Sequence, residues 1–152
     1  MADYFCQFSC LLSVDSVDNA QRAIDIRGDL AAELHREEGG CPGFDLESSH
    51  EDGEGVLWIY SDEYGEPEHV VRFVQRCATA FDLTGPWGFT WSTSCSKPRI
   101  DAFGGGAHVL DLSTGATIAD IDCSNFVHEH VMRGEEHAEV APSHTSGGGN
   151  DP

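Results

Sequence analysis

The first third of the chain predicts a β-strand followed by a helix. Residues 4–14 alternate in character, with one face mostly apolar and the other mixed, as in a strand with one buried face. Asp15 then suits a helix N-cap, and Gly39-Gly40 suits a helix end. Between them, apolar residues recur at helical spacing: Ala20, Ala23, Ile24, Leu30, Ala31 and Leu34.

The middle of the chain repeats this order with an extra strand. Residues 41–50 form a weak strand pattern, and residues 56–60 form the clearest strand in the sequence. A second helix is expected from Pro67, because proline suits a first helical turn, and it should stop before Gly85. Residues 88–95 again alternate, which predicts a fourth strand.

The remaining pattern predicts a hairpin and a short helix. Strands are expected at 107–112 and 116–122, and a last helix at 124–133. The order strand, helix, strand, strand, helix, strand is the ferredoxin-like split βαβ arrangement, an antiparallel sheet with two helices on one face. We therefore predict a single α+β domain over residues 1–133, with the C-terminal hairpin and helix added to that unit. The acidic, Gly- and Ser-rich residues 134–152 are expected to be a disordered tail.

The net charge of the chain limits which kinds of partner it can bind. The chain has 152 residues, and 27 acidic residues against 8 basic ones give it a formal net charge of -19. Direct binding to nucleic acid or to an anionic membrane is disfavoured by repulsion, whereas docking onto a basic surface is favoured. Solubility in a salty cytoplasm is the alternative explanation. No apolar run is long enough for a membrane span and no export signal is evident, so we expect a cytoplasmic protein with free thiols.

The acidic residues concentrate in one part of the chain. Residues 43–68 contain no Lys or Arg, while half of the basic residues lie in residues 69–100. The first segment is therefore the candidate partner-binding surface, and its expected partner is a basic protein surface, such as that of a nucleic-acid-binding host protein. An exposed edge strand would also offer a surface for a homo-oligomer. The candidate residues are Asp45, Glu47, Glu51, Asp52, Glu54, Asp62, Glu63 and Glu66.

The loop that follows the fourth strand is a candidate anion site. It carries Lys97, the only lysine, together with Arg99 and the glycines Gly104, Gly105 and Gly106. Cationic side chains and close backbone amides can hold a phosphate or another anion. The sequence does not fit a P-loop or a dinucleotide-binding fingerprint. The alternative is a structural connection in which the glycines form a bulge or tight bend.

The same loop carries a family resemblance. Residues 91–99 read Trp-Ser-Thr-Ser-Cys-Ser-Lys-Pro-Arg, and residues 103–107 read Phe-Gly-Gly-Gly-Ala. Together with the strands at 57–60 and 88–91, they resemble a small acidic family found in phages, plasmids and bacterial genomes. The resemblance covers roughly residues 55–110. It implies a mobile-element setting and no particular activity.

Enzymatic chemistry has weaker support in the sequence. Cys95 lies near Lys97 and Arg99, whose charges would lower a thiol pKa, so a minor Cys-dependent hydrolase or transferase is an alternative. Residues 128–130 read His-Glu-His, but they lack the spacing that places two imidazoles on one helix face. We expect no metal and no cofactor. The favoured hypothesis is a non-enzymatic acidic binding protein of a mobile element, acting by nucleic-acid mimicry as an inhibitor of a basic host defence protein.

Overall fold

A computed structural model of the chain describes residues 2–49 and 51–140. Within these residues the chain forms an α+β fold with a six-stranded antiparallel sheet and three helices, which confirms the predicted class. The strands are β1 (Tyr4–Ser13), β2 (Asp45–Ser48), β3 (Val56–Ser61), β4 (Pro86–Cys95), β5 (Gly104–Asp111) and β6 (Ala116–Asp122). The helices are α1 (Val17–Glu38), α2 (Pro67–Phe81) and α3 (Cys123–Val140).

The sheet is open, with the strand order β2-β3-β1-β4-β5-β6. Strand β1 lies between β3 and β4. Helix α1 connects β1 to β2, and helix α2 connects β3 to β4, so each helix joins two strands that are not neighbours in the sheet. Strands β5 and β6 extend the sheet beyond β4 as an antiparallel pair. Every residue of β6 is exposed, because this end of the sheet reaches past the core that lies under α1 and α2.

The core lies on one face of the sheet. Inward residues of the central strands, including Leu12, Leu57 and Ile59, form one buried cluster with the apolar sides of α1 and α2. Phe73 of α2 is fully buried at the centre of that cluster. The buried residues of α1 are alanines and leucines. Ile24, which the sequence periodicity assigns to the buried side, is 44% exposed.

Two predicted helix boundaries differ from the structure. Ser16, not Asp15, is the N-cap of α1, and its hydroxyl accepts a hydrogen bond from the Asn19 amide at 3.1 Å. Asp15 instead has a left-handed backbone with φ of 76°, which turns the chain from β1 into the helix. Helix α3 continues past the predicted end at Arg133 to Val140. The remainder of the predicted tail, residues 141–152, lies outside the described residues.

Candidate partner-binding surface

The sheet face opposite the helices carries a stacked aromatic pair. Trp58 and Tyr60 alternate along β3 with the fully buried Leu57 and Ile59, so their side chains lie on the uncovered face. The two aromatic rings are stacked, with centroids 3.9 Å apart and an interplanar angle of 20°. The indole N–H of Trp58 donates to the Ser9 hydroxyl at 2.8 Å, which ties the pair to the neighbouring strand β1.

Carboxylates from β2 border this pair. The strand register places Asp45 opposite Tyr60 and Glu47 opposite Trp58, and the Tyr60 hydroxyl donates a hydrogen bond to the Glu47 carboxylate. The pKa of Tyr60 is raised to about 12, first by that hydrogen bond, then by partial desolvation and by the charges of Glu47, Asp45 and Asp62. The aromatic pair therefore lies in a negative field, and we call Asp45, Glu47, Trp58, Tyr60 and Asp62 the open-face cluster.

The other predicted acidic residues lie in separate places. Glu51, Asp52 and Glu54 belong to the loop between β2 and β3, where the Ser49 hydroxyl donates to Asp52 at 2.5 Å. Strand β3 separates this loop from Asp62 by about 17 Å. The predicted arc therefore divides into the loop carboxylates and the carboxylates of the open-face cluster, and among these two groups the open-face cluster is the one with aromatic side chains.

Glu63 and Glu66 lie beyond the open-face cluster, near the start of α2. The backbone carbonyl of Glu63 accepts a hydrogen bond from the Cys6 amide at 2.6 Å, and Glu66 is the N-cap residue of α2. Burial raises the pKa of the Cys6 thiol, and the nearby Glu66 charge raises it further. Since Cys6 lies on the same side of β1 as Phe8 of the core, Glu66 faces the helix side of the sheet.

The glycines of the candidate anion loop are used by strand pairing. Gly104, Gly105 and Gly106 begin β5 and pair with residues 91–93 of β4, so this strand starts earlier than the predicted Ala107. A Cβ on Gly105, whose φ is 141°, would lie 2.3 Å from the Trp91 carbonyl oxygen. A Cβ on Gly106 would lie 2.3 Å from the Ile121 carbonyl oxygen and 2.5 Å from the Trp91 ring. Close packing of β4, β5 and β6 therefore requires glycine at Gly105 and Gly106.

Lys97 and Arg99 are exposed in the preceding loop. The Arg99 amide donates to the Lys97 carbonyl at 2.8 Å, which closes a tight turn between the two cationic side chains. Anion binding by this loop stays a prediction. Its positive charge comes from Lys97 and Arg99, whereas its three glycines belong to the sheet.

Some of the thiols and histidines are engaged in packing or in hydrogen bonds away from Cys95. Burial raises the pKa of both Cys10 and Cys77 to about 12, which disfavours the reactive thiolate. Cys95, the candidate nucleophile, is a half-buried free thiol at the end of β4. His69 accepts from the Gly43 amide, and His108 bonds to Thr117, so neither imidazole is directed to Cys95. Over the described residues, no cluster of three or more His, Cys, Asp or Glu side chains suits a metal ion, and the residues 128–130 are exposed on α3.

The sequence does not identify Trp58 and Tyr60 as part of the candidate surface. Their alternation with apolar residues predicts that they share one face of β3, but it does not indicate which face the helices cover. Their proximity to Asp45 and Glu47 depends on the register between β2 and β3, which a single sequence does not give. The local excess of acidic residues in the sequence identifies the carboxylates of the cluster, whereas its aromatic residues are identified only from the folded structure.

Comparisons with known proteins give no match: the chain matches no protein-family model, no curated protein and no solved structure. In the part of the chain that the structure describes, no helix has both the length and the hydrophobicity that crossing a bilayer requires.

Proposed function

We propose that this chain is a non-enzymatic acidic binding protein, and that its open-face cluster docks onto a basic surface of another protein. The observation that carries the proposal is the stacked Trp58–Tyr60 pair with its bordering carboxylates. Tyrosine and tryptophan are the residue types that most often dominate interface energetics. Their faces attract guanidinium groups, and neighbouring carboxylates can accept the guanidinium N–H groups at the same time. Arginine on a basic protein is therefore the chemical group that this surface fits best.

The net charge supports the same kind of partner. A charge of -19 accelerates encounter with a basic surface and repels nucleic acid and other acidic proteins. A basic surface that normally binds nucleic acid has the complementary charge, so we propose nucleic-acid mimicry against a host protein as the mode of action. The resemblance of residues 55–110 to an acidic family of phages and plasmids supports a mobile-element setting, and in that setting we propose that the chain acts as an inhibitor in the host cytoplasm.

We also propose that β1 to β4 with α1 and α2 form a ferredoxin-like split βαβ unit. The support is the strand order β2-β3-β1-β4 in this part of the sheet, with each helix crossing between strands that are not neighbours. In such a unit both helices cover one face, which leaves the other face free for binding. The hairpin β5–β6 and helix α3 are then additions to the unit.

The test is a pull-down of basic proteins from host lysate with two matched variants. The open-face variant carries Asp45→Asn, Glu47→Gln and Asp62→Asn, and the control variant removes the same charge at Glu51, Asp52 and Glu54 in the β2–β3 loop. We expect the unmodified protein and the control variant to retain a basic protein at low salt and release it at high salt, because surface charges are screened by salt. The open-face variant should not retain it.

Two results would contradict the proposal. Equal retention by the two variants would mean that the open-face cluster does not make the contact. Equal loss would mean that only the bulk charge matters. A Trp58→Ala variant separates the aromatic contribution, because it leaves the charge unchanged and should still weaken retention.

A further inference from the structure

A groove lies on the opposite face of the sheet, between α2 and α3. Its volume is about 1050 Å³. The floor consists of residues from β4, β5 and β6, and the walls are the first two turns of α2 and α3. The groove exists because β5 and β6 extend the sheet past α2, while α3 turns back and contacts both strands. The Asn125 amide donates to the Asp122 carboxylate at 3.0 Å, which caps α3 and fixes its departure from β6.

The lining combines apolar surface with uncompensated negative charge. Apolar area comes from Trp91 on the floor and Phe126 on the α3 wall, which is 48% exposed. The guanidinium of Arg72 is paired with Glu33 at 3.0 Å, so the single arginine of the lining is already neutralised from α1. No ion pair involves the groove carboxylates among residues 2–49 and 51–134. Those carboxylates are Glu66, Glu68, Asp120, Asp122 and Glu129.

We infer that this groove binds an arginine-containing, partly apolar segment of a protein partner. The inference rests on the proposed function, since it names a second contact for the same basic partner. The volume is at the upper end for a small-molecule site, and it suits several side chains of a peptide better than one ion. Exposed carboxylates on both walls and on the floor fit guanidinium groups, and the Trp91 and Phe126 rings fit their planar faces and the apolar residues between them. A second copy of this chain is a poor occupant, because it would bring its own charge of -19 to the same place.

Only the folded chain brings these residues together. Glu66 and Glu68 are more than 50 residues away in sequence from Asp120 and Glu129, and they meet because α2 and α3 flank the same strands. The groove and the open-face cluster lie on opposite faces of the sheet, because Trp91 shares the side of β4 that carries the buried Phe89. A partner that reaches both must therefore wrap around one edge or end of the sheet, or offer two separate segments.

The experiment measures binding of a fluorescent peptide of alternating arginine and leucine to the full chain, with a glutamine–leucine peptide as the neutral control. The groove variant is Asp120→Asn with Glu129→Gln. One comparison variant removes two charges from the open-face cluster (Asp45→Asn, Glu47→Gln), and another removes two from the β2–β3 loop (Glu51→Gln, Asp52→Asn). We expect the groove variant to weaken binding of the arginine peptide about tenfold and the β2–β3 loop variant to change it less than about twofold. The open-face variant should weaken binding less than the groove variant does, because it removes the other proposed arginine contact.

A steric variant tests the groove without changing its charge. Phe126→Ala should weaken the arginine peptide several-fold and leave the thermal unfolding temperature nearly unchanged, because Phe126 is half exposed. Loss of affinity in the groove variant and in Phe126→Ala, larger than in the open-face variant and with the loop variant unaffected, supports the inference.

Other outcomes overturn it. Equal weakening in all three charge variants would reduce the effect to net charge, and so would an unchanged Phe126→Ala. Undetectable binding of the arginine peptide, or equal binding of the neutral peptide, would refute the role of the groove carboxylates. Weakening in the open-face variant alone would refute the groove and leave the proposed function intact. The proposed function fails separately, if the open-face variant keeps the basic partner in the pull-down.

Discussion

Tyr60 offers a direct measurement of the negative field on the open face. The Glu47→Gln substitution removes both the hydrogen-bonded carboxylate and its charge, which are the largest and the third-largest causes of the raised pKa. The pKa of Tyr60 is raised from the ordinary 10.0 to about 12. Desolvation and the charges of Asp45 and Asp62 remain in the variant and still raise the pKa, so we expect its Tyr60 pKa to lie between the ordinary 10.0 and about 12.

The assay is a phenolate absorbance titration of the folded protein. The chain has three tyrosines, so a Tyr60→Phe variant identifies the Tyr60 contribution to the titration. Asp120→Asn is the matched control, because it removes one charge from the other face of the sheet and should leave the Tyr60 titration nearly unchanged. High salt should lower the Tyr60 pKa in the unmodified protein by screening the charges, while the hydrogen bond to Glu47 persists.

The same shift links pH to stability. The folded pKa of Tyr60 is above the unfolded value, so its contribution to the free energy of unfolding is fully present below pH 10.0 and is lost as the pH rises towards about 12. In Glu47→Gln this loss should be smaller over the same range. A Tyr60 that titrates near 10.0 in the unmodified protein, or a titration that Glu47→Gln does not change, would refute the described geometry of the open-face cluster.

Three further predictions test other parts of the structure. Gly106→Ala should lower the free energy of unfolding by about 2 kcal/mol or more, because its Cβ would contact the Ile121 carbonyl and the Trp91 ring. Gly28→Ala, in an open position on α1, should raise the free energy of unfolding by about 0.5–1 kcal/mol. Urea denaturation that gave both changes the same sign would contradict the packing. Alkylation at neutral pH should modify the exposed Cys41 and Cys123 first and the buried Cys77 last, whereas a Cys95 that reacts much faster than Cys41 would support the enzymatic alternative. The anion-site alternative predicts a phosphate-dependent rise in the unfolding temperature that Lys97→Ala removes, and the absence of any rise in the unmodified protein would exclude it.

Local patterns predicted most of the elements. The alternation over residues 4–14 corresponds to β1, and the run at 56–60 corresponds to β3. Pro67 begins α2, and Gly39 ends α1 in the left-handed conformation that glycine adopts without a steric penalty. These features were readable because they depend on residues close together in the chain. The predicted N-cap of α1 was wrong because Asp15 and Ser16 are neighbours and both residue types suit an N-cap.

The sequence by itself determined the sign of the surface charge and the α+β class. Those properties follow from composition and from short-range periodicity, which survive without any tertiary contact. The tertiary structure decided which side chains lie together: strand register brings Glu47 to Tyr60, and the extension of the sheet by β5 and β6 opens the groove that Glu68 and Glu129 line. Such groupings join residues that are distant in the chain, and their relative positions are fixed by strand pairing and helix packing, which local sequence patterns do not encode.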